Sequence, residues 1–445
     1  MREGSLDAPM RRPIPWREPD FYDPAKLDAE LRRSFDICHV CRRCFNLCDS
    51  FPRLFDLIDN SKTGELDSVD SKDFKQVTDA CTLCDMCFLT KCPYVPPHEF
   101  DLDIPHLMAR RRAVEWKEGR TSFADRQLIE TDRNGRLGCG LHGLANWATK
   151  RSNKAARRVL EAAASVDRDA WLPGYAAKTF RQQAAAEKPE VHVSAPAFGR
   201  KAVIYATCYG NYNNPDIGRA ARAVLARNGV ETEVVYPECC GMPQFERGDI
   251  ERVAGKARKV AAAMAEWVEK GWDVVALVPS CALMLKFEWP LIEPEDEAVR
   301  RLARATFDVS EYVVDIARKE GLAEGLRPLD GKAAIHIACH ARAQNMGQKG
   351  AELLRLIPGA EVAVVERCSG HGGAWGVKKD NFKTALKVGK PAARRISEAD
   401  AAYVVSECPL AREHLAQGAE ALGEPLKAVK PFEHPVEVLA YAYGL

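Results

Sequence analysis

The chain has 445 residues, of which 46% are hydrophobic and 29% charged, and its formal net charge is +1. That length holds two or three domains with sizeable cores, and the balanced charge excludes a polyanion binder, so nucleic acid is not an expected partner. No apolar run approaches the roughly 18 residues needed to cross a bilayer, and the opening MREGSLDAPMRRPIPWREPD lacks the apolar core of a secretory signal.

In chain order, residues 1–30 read as an extended arm rich in proline and charge: either a surface-draped or disordered tail, or a strap for a partner. Helical spacing through Leu27, Leu31 and Phe35 already begins inside this span and leads into Cys38. Residues 31–118 are expected to form a helical domain, because the stretch Cys38 to Cys92 holds eight of the sixteen cysteines in two runs. The first run is Cys38, Cys41, Cys44 and Cys48; the second is Cys81, Cys84, Cys87 and Cys92, followed by Pro93. Gaps of two residues let thiolates converge from a tight turn onto a compact cluster. In a two-cluster ferredoxin arrangement, three thiolates of each run serve their own cubane and the fourth crosses to the other. The expected sets are Cys38, Cys41, Cys44 with Cys92, and Cys81, Cys84, Cys87 with Cys48, around two 4Fe-4S clusters. Zinc and a disulfide framework are the competing readings of the same spacing. Asp49 follows Cys48 where proline is usual, and the second run has a longer gap before Cys92.

The run Arg110, Arg111, Arg112 reads as a solvated helix face or as a steering patch for an acidic redox partner. Residues 119–198 are expected to be a polar helical linker, in which Cys139 and His142 could pair as ligands or simply pack. From residue 199 short β-branched runs alternate with alanine-rich amphipathic segments, the rhythm of a parallel α/β architecture. The rhythm repeats, with one α/β domain over 199–330 and a second over 331–445. Cys208, Cys240, Cys281, Cys339, Cys368 and Cys408 all fall just after predicted strands, where the loops of an open α/β sheet meet ligands. The first cycle supplies four thiols, Cys208, Cys239, Cys240 and Cys281; the second supplies only Cys339, Cys368 and Cys408.

This pattern resembles the cysteine-rich, or CCG, domain pair of heterodisulfide reductase. It is also similar to the iron–sulfur subunits of anaerobic glycerol-3-phosphate dehydrogenase and of glycolate oxidase, and to lactate-utilisation proteins. The likeness covers residues 30–440. It implies an α+β molecule: a helical two-cluster ferredoxin-like domain followed by a duplicated α/β CCG-like domain. An intact family copy carries five thiolates around a non-cubane cluster. Here Met284 takes the last position of the first copy, and Ser369 and Ala411 replace two cysteines of the second. A third iron–sulfur cluster or zinc in this half is the expected metal, with Cys208, Cys239, Cys240, Cys281, Cys339, Cys368 and Cys408 as its candidate ligands. His340 and His371 are the candidate catalytic residues, as proton donors beside a redox centre; metal ligation and ordinary hydrogen bonding are the alternatives.

No strand leads into a G-x-G-x-x-G fingerprint and no Walker A loop is present, so any flavin or nicotinamide is expected on another subunit. The reading is an iron–sulfur oxidoreductase subunit with a protein redox partner, either a flavoprotein or a membrane quinone-linked protein. The alternatives are a soluble carrier serving a separate oxidase or peroxidase-like partner, and a metal-stabilised interaction protein. The expected location is the reducing cytoplasm, with membrane association only through a partner.

Overall fold

The computed structural model describes residues 9–445; residues 1–8 of the expected arm lie outside the described residues. The front of the molecule is a helical core. Helix Pro24–Cys41 starts where the Asp23 side chain accepts the amides of Ala25 and Lys26, with proline in its first turn. Leu27, Leu31 and Phe35 form its buried stripe. It stops at Arg42, whose φ of 53° is left-handed, so Cys38 and Cys41 sit in the last turn and Cys44 lies beyond it. Helix Ser50–Asp59 buries Phe51, Leu54, Phe55 and Ile58 against it. Phe35 and Phe74 meet edge to face at 5.1 Å. This apolar packing holds rigid the helix ends from which the cysteines project.

The rear half contains two all-parallel sheets. The first has strands β1 (Lys201–Tyr205), β2 (Glu231–Val235), β3 (Asp273–Ala276) and β4 (Thr306–Asp308), in the order β2-β1-β3-β4. The second has β5 (Ala333–His336), β6 (Val362–Val365) and β7 (Tyr403–Ser406), in the order β6-β5-β7. The shared order is the structural form of the repeat, and β4 is an addition to the first copy. Central strands β1 and β5 are almost wholly buried, as the apolar stretches 202–205 and 333–335 require when helices cover both faces, and β5 ends on buried His336. The copies interlock, since the last helix, Pro435–Tyr443, packs on helix Pro215–Arg227 of the first copy. Among the described residues no helix is long and apolar enough to cross a membrane.

The described part of the arm is draped on its own chain, the surface-draped form of the expected tail. The Ile14 amide donates to the Leu291 carbonyl at 2.8 Å, Trp16 Nε1 donates to the Ile292 carbonyl at 2.9 Å, and Arg17 pairs with Glu293 at 2.7 Å. One expectation needs correction: the arginine run is not a solvated or steering face. Arg110 donates to the carbonyls of Asp20 and Phe21, and Arg111 pairs with Glu115. Arg112 is buried and donates to the carbonyls of Thr78, Cys81 and Glu246, tying the second cysteine run to the first α/β copy. A guanidinium suits that task because its five donors form a fixed fork.

Candidate functional site

All sixteen cysteines are free thiols, so no disulfide framework forms. In the front domain they gather as two quartets that mix the runs. Burial raises Cys38, and the sulfurs close enough to raise it further are those of Cys92, Cys44 and Cys41. Burial and then Cys92 push Cys44 up to about 12. In the other quartet Cys48 is pushed up to about 12 by burial and by Cys81, while Cys87 feels, after its own burial, Cys84 and Cys81, then Cys44 of the first quartet, then Cys48. Such quartets resist ionisation until a multivalent cation shares their charge.

Main-chain amides prepare the sulfurs for that charge. The Leu83 amide donates to Cys81, Met86 to Cys84, Tyr94 to Cys92, and both Ser50 and Phe51 to Cys48. Leu83 and Asp85 adopt left-handed φ values of 48° and 64°, which bends the loop tightly around its thiols. Hydrogen bonds to ligand sulfurs are one of the protein's means of tuning an iron–sulfur centre. The front thiols therefore fit the clusters that their spacing implies.

In the first α/β copy each thiol sits beyond a strand: Cys208 after β1, Cys239 and Cys240 after β2, Cys281 after β3. They form a hydrogen-bonded row in which Cys239 accepts from Cys208 and Cys240 and is held well below the ordinary thiol range, with Lys256 adding to the effect. Lys256 is itself nearly buried and pairs with Asp132 at 3.0 Å and Glu238 at 3.2 Å. Asp132 also accepts the Cys239 amide at 3.1 Å and the Tyr236 hydroxyl at 2.6 Å. Trp289 donates to the Cys240 carbonyl at 3.0 Å. Among the described residues no group of three His, Cys, Asp or Glu side chains is placed to hold a single metal ion. Four thiols are donors enough for an iron–sulfur cluster or for a tetrahedral zinc ion. Met284 is fully buried as core.

In the second copy Cys339, Cys368 and Cys408 follow β5, β6 and β7. Amides of His340, Gly370, and Leu410 with Ala411 donate to their respective sulfurs. Ser369 accepts the His371 amide at 3.4 Å, an ordinary turn bond. The turn is pressed against helix Phe382–Glu398. A Cβ at Gly370, where φ is 78°, would lie 2.0 Å from the Ala385 carbonyl oxygen, and one at Gly389 would lie 2.1 Å from that of Ser369. Gly389→Ala is accordingly expected to push the cysteine turn off the helix and to destabilise the protein by about 1–3 kcal/mol, read as a lowered thermal midpoint.

Front and rear thiols share one cavity of about 900 Å³, lined by Cys48 and Cys84 from the front, by Cys208, Cys240 and Cys281 from the first copy, and by Cys339, Cys368 and Cys408 from the second. His340 stands at the junction. Its Nδ1 lies 2.9 Å from Ser280 Oγ and its Nε2 lies 3.2 Å from the Leu83 carbonyl, so it joins all three cysteine groups with both nitrogens engaged. His371 also lines the cavity, but its buried Nε2 has no partner, and burial followed by His414 lowers it to about 3. It is the stronger of the two histidine candidates, because it alone has a ring nitrogen to offer.

Cys139 and His142 are not brought into this site. Cys139 donates to the Tyr212 carbonyl at 3.4 Å and His142 is exposed. Three site groups could not be picked out from the sequence. Asp132 lies in the expected linker and clamps the Cys239 loop, while His414 lies beside His371 with ring centroids 5.9 Å apart. Glu246 lines the cavity and burial raises it to about 7. Only the position of His414, one helical turn past Ala411 on the same helix, was a readable signal.

A helical domain whose cysteines form two crossed quartets, fused to a duplicated α/β unit with thiols at its strand ends, is the build of an iron–sulfur protein of a larger oxidoreductase. Residues 30–118 match the family described as citrate utilization protein B Fer4-like domain, and residues 202–286 and 333–414 each match the cysteine-rich CCG domain. The chain is 29% identical to a subunit of the anaerobic glycerol-3-phosphate dehydrogenase of Escherichia coli K12 over 77% of its own length and 82% of that protein. It is 26% identical to a subunit of the fumarate reductase (CoM/CoB) of Methanothermobacter marburgensis over 51% of its length and 43% of that protein. To lactate utilization protein A of Geobacillus thermodenitrificans it is 30% identical over 40% of its length and 75% of that protein. The chain belongs to the family of CCG-domain iron–sulfur subunits.

Proposed function

We propose that this protein carries electrons through two 4Fe-4S clusters in its front domain to or from the cysteine-lined cavity between its CCG copies. Cys38, Cys41, Cys44 and Cys92 hold the first cluster, and Cys81, Cys84, Cys87 and Cys48 hold the second. Cys208, Cys239, Cys240 and Cys281 hold a third centre, with Cys339, Cys368 and Cys408 on the facing side. The bound clusters supply one-electron redox chemistry. The chain supplies the rest: apolar packing that keeps water from the thiols, amides that stabilise their charge, and His371 as the group with a free nitrogen for a substrate proton. The working divisions are a front domain over 31–118, a helical linker over 119–198, and CCG-like domains over 199–330 and 331–445.

The observation that carries this reading is a single cavity that thiols from all three domains line together. Cys48 and Cys84 reach it from the front, Cys208, Cys240 and Cys281 from the first copy, and Cys339, Cys368 and Cys408 from the second. Thiols that were merely structural would have no reason to converge on one cavity between domains. The names of the relatives, each a subunit of a dehydrogenase or reductase, support a separate protein partner; in this proposal that partner is a flavoprotein or a quinone-linked protein that performs the substrate chemistry. Anaerobically purified protein is expected to contain about eight irons and equivalent sulfide in the front domain. Cys208→Ala should abolish one further paramagnetic signal while leaving those irons in place. Colourless, zinc-filled protein would overturn the proposal.

A further inference from the structure

Helix Phe382–Glu398 buries Phe382, Ala385, Gly389, Ala392, Ala393 and Ile396 on its inner face. On its outer face Lys383, Lys387, Lys390 and Arg394 occupy positions i, i+4, i+7 and i+11, so they fall on one stripe about 16 Å long. All four are exposed, and none has an acidic partner among the described residues, although the chain as a whole balances 64 basic against 63 acidic residues. Like charges at these spacings destabilise a helix by about 0.2–0.5 kcal/mol per pair. Lys383 stands in the first turn, where the helix dipole also disfavours a cation. Among the described residues Glu398, one turn beyond Arg394, is an acid close to the stripe.

The stripe leads to the redox cavity. Arg367, Lys390, Arg394 and Arg395 surround a recess of about 360 Å³, with Glu398 as its one acid. Arg367 and Arg395, with Pro391 between them, also line the cysteine cavity. Cys368, beside Arg367, is the one exposed cysteine of the sixteen. A cationic surface whose recess shares Arg367, Pro391 and Arg395 with the cysteine cavity is placed to orient a negatively charged protein for electron exchange there.

We propose that this helix is the docking surface for a one-electron carrier protein with an acidic face. The inference rests on the electron-transfer reading and adds to it the surface and the chemistry of the partner. The length of the stripe favours a protein over a small anion, which would occupy only the recess. In each encounter one electron leaves the reduced carrier and one oxidised cluster gains it, with no bond made or broken. Steering of this kind is strong at low salt and fades once the Debye length falls below the span of the patch.

The test uses flavodoxin, an acidic flavin protein, as the probe and the anaerobically purified holoprotein as the receptor. Affinity for oxidised flavodoxin, measured by thermophoresis, is expected to fall at least tenfold between 20 and 300 mM salt, on the order expected for steered charge pairs. At the lower salt K387E/K390E/R394E should bind at least tenfold more weakly than wild type. The control K62E/R158E/K178E changes the net charge equally at exposed, unpaired positions elsewhere and should stay within about twofold. Equal binding by the two triple variants would overturn the proposal. So would retention of wild type, but not of K387E/K390E/R394E, on phosphatidylglycerol vesicles in the absence of flavodoxin binding, because the surface would then serve a bilayer. Reduction by methyl viologen radical, a cationic donor, is followed separately from the loss of visible absorbance. Failure there removes the electron-transfer reading, whereas normal reduction with indifferent flavodoxin binding removes only the docking surface.

Discussion

The double variant Cys38→Ala/Cys92→Ala should retain about four of the eight front-domain irons, whereas Cys38→Ala/Cys48→Ala should retain almost none. The difference follows from which thiols share a quartet. Cys38 is perturbed by Cys92, Cys44 and Cys41, so Cys38 and Cys92 serve one cluster and their joint loss removes only that one. Cys48 is perturbed by Cys81, and its loss together with Cys38 strikes both clusters. If each run held its own cluster the outcomes would exchange, because Cys38 and Cys48 would then share a site. Iron analysis read beside circular dichroism decides the matter, since the variant that keeps one cluster should also keep more of its helical signal.

What the sequence reveals here depends on how local the cause is. Cysteine spacing is dictated by the size of the cluster that must be grasped, so the two runs, and their membership of an iron–sulfur family, are readable without coordinates. Strand–helix alternation is likewise local, and it places Cys208, Cys281, Cys339 and Cys408 at strand ends because the chain must turn there. The roles of charged residues are not local. Arg112 resembles the arginines beside it, yet three carbonyls brought in by distant segments make it a buried tie. Asp132 looks like a linker carboxylate until the Cys239 loop folds against it. The cations of helix Phe382–Glu398 are the reverse case: their spacing was legible, but their lack of partners is visible only once every neighbouring element is in place.

Replacement of Arg11 should be among the most damaging changes outside the cysteines, costing about 3–5 kcal/mol and releasing the arm. Arg11 is 12% exposed and lies 2.7 Å from Asp85, 2.8 Å from Glu288 and 3.0 Å from Asp103. Its guanidinium also covers the Phe88 ring at 4.5 Å. Glu288 is fully buried, and although burial raises it, His106 and then Arg11 hold it down to about 2. Arg11→Met keeps much of the volume but leaves Asp85 without its cation and Glu288 with His106 alone, 3.0 Å away. The pH dependence separates this cause from lost packing. In wild type the contribution of Glu288 is present above its unfolded pKa of 4.5 and is lost as pH falls through about 2. In Arg11→Met the carboxylates take up protons more readily, so the deficit against wild type should be largest near pH 7 and should shrink as the pH is lowered toward 5. A deficit that stays constant over that range would mean that contacts of the side-chain stem, and not its charge, hold the arm. Asp85 directly follows Cys84, so the same variant should also loosen the second quartet and speed its loss of iron to a chelator; cluster retention equal to wild type would confine Arg11 to the arm.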